Sequence, residues 1–253
     1  MNAAMLRRIA PLAVALPLVL LLASTALAVT VPTVTFGVEE AQSPRQISTA
    51  IQVLMLITVL SLAPSILLMT TCFTRIIIVL GFIRQAMGTQ NMPPTQILLG
   101  LALFLTFFIM SPTLSKINEQ ALQPYLAEQI SQDVALQRGI APLREFMLSQ
   151  VREEELTLLA EITMKDEPVE AEDIPTTTLV PAFMLSELKR AFMMGFMIYI
   201  PFLVIDMIVA SVLMSMGMMM LPPVIISMPF KLLLFVLVDG WSLVVGSLIK
   251  SFN

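Results

Sequence analysis

Six charged residues lie within the long apolar stretch 186–241, and they are Glu187, Lys189, Arg190, Asp206, Lys231 and Asp239. A charge inside a membrane-length apolar run is costly unless it meets a partner or water. Glu187 and Arg190 stand three positions apart on one helix face, so they can pair locally or contact another subunit. Arg75 interrupts an earlier apolar run in the same way. These charges are therefore the first candidates for chemistry or for recognition of a partner.

The isolated Lys231 either snorkels from a helix end to the membrane surface or pairs with a carboxylate. Glu187 and Asp206 are the candidate acids by residue type. They are 19 residues apart, which is roughly 28 Å along an unbroken helix at about 1.5 Å per residue. Only one of them can therefore be the partner of Lys231 at a time.

Asp206 and Asp239 are the two acids that an intramembrane aspartyl protease would need, since its carboxyl groups share one proton. Neither of them follows the Gly-x-Gly sequence that marks such a site. The remaining interpretations are a proton relay, a structural ion pair and a role in a turn.

Three consecutive methionines, Met218, Met219 and Met220, follow Gly217 and precede a double proline. Methionine is flexible and fills irregular gaps, so ordinary packing at a turn is one interpretation. The alternative is a compliant apolar constriction, which would block ions and open around a passing chain.

The residue types on which most enzymes depend are scarce. The chain has no histidine, and Cys72 is its only cysteine, so an internal disulfide is impossible. It contains no phosphate-binding loop, dinucleotide-binding glycine motif, nucleophile elbow or zinc-protease motif. The sequence predicts no catalytic residue, no metal site and no cofactor.

The composition is that of an integral membrane protein. Hydrophobic residues make up 57% of the 253 residues and charged residues 13%, about half of the roughly 25% found in soluble domains. The mean hydropathy is +0.90. The net charge of -4 gives no reason to expect nucleic acid as a partner.

The first 28 residues are typical of a cleaved secretory signal. Arg7 and Arg8 form a basic start, an apolar stretch follows, and residues 26–28 (ALA) form a small-x-small cleavage site. A retained first membrane helix is the alternative. Residues 29–46 are predicted to form a polar N-terminal lead.

Two apolar regions flank an acidic one. Residues 47–115 are predicted to form a first apolar helical hairpin and residues 182–253 a second one with the methionine-rich turn. Residues 116–181 are predicted to form a small helical domain outside the cytoplasm. Its many acids indicate solvation, since no calcium-binding loop motif is present.

Prolines predict where the apolar helices break. Pro64 is expected to divide the first apolar run into two helical pieces, and Pro112 to end the second. Residues 166–178 are predicted to form a mobile linker.

With a cleaved signal, four membrane spans would put the acidic domain outside the cytoplasm. Lys189 and Arg190 would then lie near the outer end of a span, against the positive-inside rule. Helices that pack mostly against protein in a larger assembly would resolve this conflict.

Several long stretches resemble one family. They are SILLMTTCFTRIIIVLGFIRQAMGT, QILLGLALFLTFFIMSP, SELKRAFMMGFMIYIPFLVIDMIVASVLMSMGMMMLPP and PFKLLLFVLVDGW, in that order within about residues 48–252. The chain is similar in them to the FliP family, which forms the inner-membrane export gate of the bacterial flagellar type III secretion system and is homologous to a subunit of the virulence injectisome.

The resemblance implies an all-α fold whose copies form a pentameric, helical ring together with FliQ and FliR, next to FlhA and FlhB. Unfolded flagellar proteins pass through its pore, driven mainly by the proton motive force. The family's methionine gasket corresponds to Met218, Met219 and Met220, and its intersubunit charge pair to Glu187 and Lys231. The alternatives are a small-solute or proton transporter that uses Asp206, and a scaffold without a pore.

Overall fold

The computed structural model describes residues 44–89, 92–164, 173–218 and 220–252. The predicted signal peptide lies outside the described residues, as does most of the polar lead, whose last residues begin the first helix. The chain divides into two compact units, Met1–Val53 and Leu54–Asn253. The description below concerns the second unit and the helix that leads into it.

The described residues are helical, and no strand occurs among them, which confirms the predicted all-α class. The helices are α1 (Pro44–Met69), α2 (Phe73–Ala86), α3 (Thr95–Ile117), a π-helix (Asn118–Leu122), α4 (Gln123–Leu126), α5 (Gln132–Gln150), α6 (Glu153–Met164), α7 (Thr176–Ser215), α8 (Pro223–Leu237) and α9 (Gly240–Lys250).

Two continuous helices are long and apolar enough to cross a membrane, Thr95–Leu126 and Thr176–Ser215. Two further pairs qualify if each is one broken span: Val53–Met69 with Phe73–Ala86, bent by 64°, and Pro223–Leu237 with Gly240–Lys250, bent by 63°. By length and composition the described chain therefore provides two to four spans.

The first apolar run does form two helical pieces, but the predicted position of the break at Pro64 is wrong. Pro64 lies inside α1, and the break falls between Met69 and Phe73. There the Thr70 hydroxyl donates to the Ile66 carbonyl at 2.9 Å and the Thr74 hydroxyl to the Leu68 carbonyl at 3.1 Å. The Thr70 hydroxyl adds to the backbone bond that its own N–H already makes to Ile66, at 3.0 Å, and the Thr74 hydroxyl bridges the break back to Leu68.

Two other boundaries also differ from the prediction. Pro112 does not end its helix, because α3 continues to Ile117 and leads through the π-helix into α4. A proline removes one backbone hydrogen bond, which a helix in an apolar run can tolerate. Of the predicted linker, residues 166–172 lie outside the described residues, and its last residues are helical because Thr176 begins α7. The Arg144 guanidinium donates to the Thr176 hydroxyl at 2.7 Å and to the Ile174 carbonyl at 2.7 Å.

The core lies around α2, which packs between α3 and α7. Gly195 of α7 permits this close approach, since a Cβ at that position would overlap the ring of Phe82. The acidic region folds onto the apolar helices: α5 contacts α3, and Phe146 meets Phe183 of α7 edge-on with ring centroids 5.9 Å apart. This packing brings distant charged segments together at one end of α2.

Candidate functional site

Arg75 lies at the centre of a buried ion-pair site at the start of α2. Its side chain and that of Glu187 from α7 are both fully buried, with 0% exposed. The Arg75 guanidinium donates to both Glu187 carboxylate oxygens, through Nε at 2.9 Å and through Nη2. Bidentate arginine–carboxylate pairs are among the strongest hydrogen-bonded ion pairs, and removal of one partner strands a buried charge.

Three other segments complete this arginine centre. The Nη1 group of Arg75 donates to the carbonyl and hydroxyl oxygens of Ser251, each at 2.9 Å. The ring of Phe252 lies 3.7 Å from the Arg75 guanidinium carbon, a cation–π contact. From α5, Gln150 accepts from Arg75 at 3.3 Å and donates to the Phe252 carbonyl at 3.2 Å. The centre therefore joins α2, α5, α7 and the end of α9.

Arg190 does not pair with Glu187, although the spacing on α7 allowed it. Its Nη1 group instead donates to the side-chain oxygen of Gln150 at 3.1 Å, and its side chain is half-buried. Two guanidiniums, those of Arg75 and Arg190, thus share one neutral amide oxygen.

A more exposed group of charges ties α6 to α7. The Lys189 ammonium donates to Glu154 and to Glu155, each at 3.0 Å, and Arg152 lies 2.9 Å from Glu154. These bonds, the one from Lys189 first, hold the pKa of Glu154 below its ordinary value. Burial opposes this for Glu155, but the hydrogen bond from Lys189 and a backbone N–H outweigh it, so the pKa of Glu155 is lowered as well. Both carboxylates are therefore held in the charged form.

A second buried pair links α7 to α8. The Lys231 ammonium donates to Asp206 at 2.6 Å, and the Ser227 hydroxyl donates to the other oxygen of the same carboxylate. Lys231 is 2% exposed and Asp206 23% exposed. Gly88, which follows α2 in the left-handed conformation, lies beside this pair, and a Cβ at that position would make an ordinary contact of 3.8 Å with the Lys231 ammonium. Of the two candidate acids, Asp206 is thus the partner of Lys231 within one chain.

Glu187 and Lys231 are not brought together within the chain. Glu187 pairs with Arg75, and Lys231 pairs with Asp206. The two acids, Glu187 and Asp206, lie on the continuous helix α7 at the spacing of roughly 28 Å estimated above. A direct bond between copies requires both intrachain pairs to rearrange, or neighbouring copies to be offset by a comparable distance. The intersubunit pairing of Glu187 with Lys231 stays a prediction.

Asp239 occupies the break between α8 and α9. It adopts the left-handed backbone conformation with φ of 50° and is exposed. A Cβ at the next residue, Gly240, would overlap the ring of Phe235, so the glycine permits the turn. Within the described ranges, no group of three metal-ligating side chains is arranged to hold an ion.

The methionine-rich turn connects α7 and α8. Met218 is 41% and Met220 98% exposed, while Met219 lies outside the described residues. Gly217 has φ of 74°, which lets the chain leave α7. The loop therefore presents flexible apolar side chains away from the core.

Sequence reasoning missed the residues that complete the two charge centres. Gln150, Ser227, Ser251 and Phe252 are ordinary residue types at unremarkable spacing. The one available signal was a polar side chain inside an apolar run, as at Ser227. It predicts burial with a hydrogen-bond partner, but it does not name that partner.

Comparison with known proteins covers most of the chain. The model of the FliP family matches residues 56–248. The flagellar biosynthetic protein FliP of Bacillus subtilis (strain 168) is 59% identical over 209 residues, covering 83% of this chain and 95% of the relative. The proteins of the same name from Pectobacterium carotovorum (55% identity over 203 residues, 80% of this chain and 79% of the relative) and Aquifex aeolicus (50% over 206 residues, 81% and 86%) are also similar. The chain, with its apolar broken helices and buried arginine centre, belongs to the FliP family.

Proposed function

We propose that this chain is a core subunit of the flagellar protein export gate in the bacterial inner membrane, and that it lines the channel through which unfolded flagellar proteins cross. Membership of the FliP family and relatives named as flagellar biosynthetic proteins support the flagellar role. The observation that carries the channel is the exposed methionine loop, at the tip of two apolar helices.

Bare apolar faces support assembly of several copies. Large apolar side chains remain uncovered on the membrane-length helices, among them Phe104, Phe107, Phe196, Met197 and Val236. Lipid or other protein chains must cover such faces. In a ring of copies the methionine loops would meet around one axis, where flexible thioether side chains close a pore against ions and yield to a passing polypeptide.

The family resemblance supplies the rest of the proposal. The ring has five copies and is joined by FliQ and FliR, with FlhA and FlhB adjacent. The acidic helices α5 and α6 lie on the periplasmic side, and residues 1–28 are removed as a signal peptide. The Glu187–Lys231 pair would hold neighbouring copies in register. A double-mutant cycle of Glu187→Gln and Lys231→Gln tests it: losses of the ring fraction that are less than additive support the pair, and additive losses contradict it.

The channel is tested by replacing Met218, Met219 and Met220 with alanine. We expect rings of normal mass that leak ions across a bilayer, because alanine leaves the constriction open. A matched control replaces the exposed methionines Met193 and Met197 on the side of α7. A triple variant that stays ion-tight would contradict the gasket, as would equal leakage in the control.

The transporter alternative depends on Asp206. Both oxygens of that carboxylate are engaged, one by the Lys231 ammonium and the other by the Ser227 hydroxyl. These two bonds within the chain account for the carboxylate by a structural role, as the link between α7 and α8. Flux of a small solute by the chain alone, without FliQ or FliR, would favour the transporter instead.

A further inference from the structure

Arg84 is a half-buried arginine that the charge centres described above do not use. It lies in the last turn of α2, and its Nη1 group donates to the hydroxyl of Thr95, the first residue of α3, at 2.9 Å. Among the described residues, no carboxylate lies within ion-pair distance of Arg84. The sequence has no acid between positions 41 and 118, so the helices on either side supply no counter-charge.

A polar pocket opens beside this guanidinium. Its volume is about 340 Å³, within the range of about 300–1,000 Å³ that is usual for small-ligand sites. It is lined by Gly81, Arg84, Gln85, Gly88 and Thr89. The guanidinium has five N–H donors, of which the Thr95 hydroxyl occupies one, and the exposed amide of Gln85 adds donors of its own. Donors around a positive charge, with no acid in the lining, are suited to a phosphate group.

The pocket lies at one end of an antiparallel helix pair. At the opposite end of the pair, the Cys72 sulfur lies 3.9 Å from the carbonyl oxygen of Thr106. The bond between Arg84 and Thr95 joins the same two helices beside their connecting turn. The helix faces that form the pocket therefore continue side by side along α2 and α3.

Those faces are apolar beyond the pocket. On α2, Gly81 and Ile77 precede Arg84 by three and seven positions, and on α3, Leu99 and Leu103 follow the first residue by four and eight. Residues at these spacings share one helix face. Leu99 is 44% and Leu103 39% exposed, and a Cβ at Gly81 would meet nothing within 4 Å. An uncovered apolar strip thus extends from the polar pocket along membrane-length helices.

We propose that this cleft binds an anionic phospholipid, whose phosphate accepts hydrogen bonds from the Arg84 guanidinium and whose acyl chains lie along the apolar strip. The ligand must combine a negative charge with a long hydrocarbon part, because the pocket and the strip are continuous on the same helix faces. Inorganic phosphate would fill the pocket and leave the strip bare. Basic pockets between membrane helices bind lipid headgroups on the same principle. The site lies within one chain, so it does not depend on a ring of copies.

Lipid-dependent stability tests the proposal. The full-length chain is purified in a neutral detergent and freed of lipid, and its melting temperature is measured with phosphatidylglycerol, phosphatidylcholine or inorganic phosphate. We expect phosphatidylglycerol to raise the melting temperature, because a ligand that binds only the folded chain stabilises it. Phosphatidylcholine should raise it less, since its own ammonium group opposes the guanidinium. An equal shift with phosphatidylcholine would overturn the anionic ligand, and an equal shift with inorganic phosphate would overturn the lipid.

The polar end of the site is tested by Arg84→Gln. This variant should bind phosphatidylglycerol about tenfold more weakly, because it loses charge-assisted hydrogen bonds to the phosphate. Its melting temperature without lipid should equal that of the wild type. The matched control is Arg138→Gln, which removes an exposed arginine from α5 and should leave the lipid affinity unchanged. Equal affinity of Arg84→Gln and wild type, or an equal loss in the control, would overturn the site.

The apolar end is tested by Gly81→Leu, which keeps Arg84 and places a side chain in the open strip. Since nothing lies within 4 Å of a Cβ at this position, the lipid-free variant should melt as the wild type does. We expect its affinity for phosphatidylglycerol to fall several-fold, because the acyl chains lose their place. Unchanged affinity would overturn the assignment of the strip to the lipid. None of these measurements needs a ring, so their failure would leave the export-gate proposal standing.

Discussion

The two buried ion pairs differ in the segments that they connect and in how completely their side chains are buried. The Arg75–Glu187 pair is fully buried and joins four segments, from α2 to Phe252. The Lys231–Asp206 pair links two consecutive helices, and its acid stays 23% exposed. Arginine has a planar fork of five donors, whereas lysine has a single ammonium, so only the first can organise several segments at once. The arginine centre therefore maintains the tertiary structure, and the lysine pair stabilises a local helical hairpin.

The largest effect is expected from Arg75→Ala. It leaves the Glu187 carboxylate buried without its counter-charge, which costs about 3–5 kcal/mol. Thermal unfolding of the purified protein in detergent should show the loss, or no folded protein should be obtained. Arg75→Lys serves as the matched control: it keeps the charge but loses the bidentate bond, so it should fall between alanine and wild type. A normal melting temperature for Arg75→Ala would refute the central role of this residue.

Lys231→Ala should destabilise the folded chain less, by about 1–3 kcal/mol. Asp206 would keep its hydrogen bond from the Ser227 hydroxyl, and its side chain is already partly exposed. The same melting experiment measures it, with Ser227→Ala as a companion variant of smaller effect. If Lys231→Ala destabilises the chain as much as Arg75→Ala, then the two centres do not differ in the way described above.

Gly195→Ala tests the helix packing that closes the arginine centre. The added methyl group would overlap the ring of Phe82, and overpacking of this kind costs about 1–3 kcal/mol. The double variant Gly195→Ala with Phe82→Leu should regain part of that loss, because the smaller side chain makes room. Gly81→Ala is the control, since a Cβ at that position meets nothing within 4 Å. Equal stability of Gly195→Ala and wild type would show that α2 and α7 do not need this close approach.

The smallest effect concerns pH and the exposed charges beside the arginine centre. The pKa values of Glu154 and Glu155 are lowered in the folded chain from an ordinary value of 4.5. A lowered pKa contributes stability above the unfolded value and loses it as the pH falls through the folded value. Hydrogen exchange of α6 should therefore quicken below about pH 4.5, with a smaller change in Lys189→Ala, where the main bond is already absent. If hydrogen exchange in Lys189→Ala responds to pH as it does in the wild type, the Lys189 bonds do not lower the two pKa values.

Much of the helical architecture could be predicted from the sequence, because an apolar run of membrane length indicates a helix without reference to the rest of the chain. Residue types alone predicted the methionine-rich turn. They also named Asp206 as one of two candidate partners of Lys231, without choosing between them. The break after Met69 could not be placed, since α1 continues through Pro64 and the side-chain bonds at the break come from Thr70 and Thr74, which are ordinary residues in the sequence. Gln150, Ser251 and Phe252 could not be found either, because contacts across 75 to 176 positions leave no periodic trace in the sequence.

The contact between Arg75 and Ser251 spans 176 positions of the chain. A ribosome that has just made α2 must therefore synthesise the chain as far as Ser251 and Phe252 before the guanidinium receives its last partners. Glu187 can arrive earlier, but Ser251 and Phe252 close the centre only when translation has reached them. The arginine centre is thus completed only by the segment that follows α9, and a chain truncated in α9 would remain open at the position where its four segments meet.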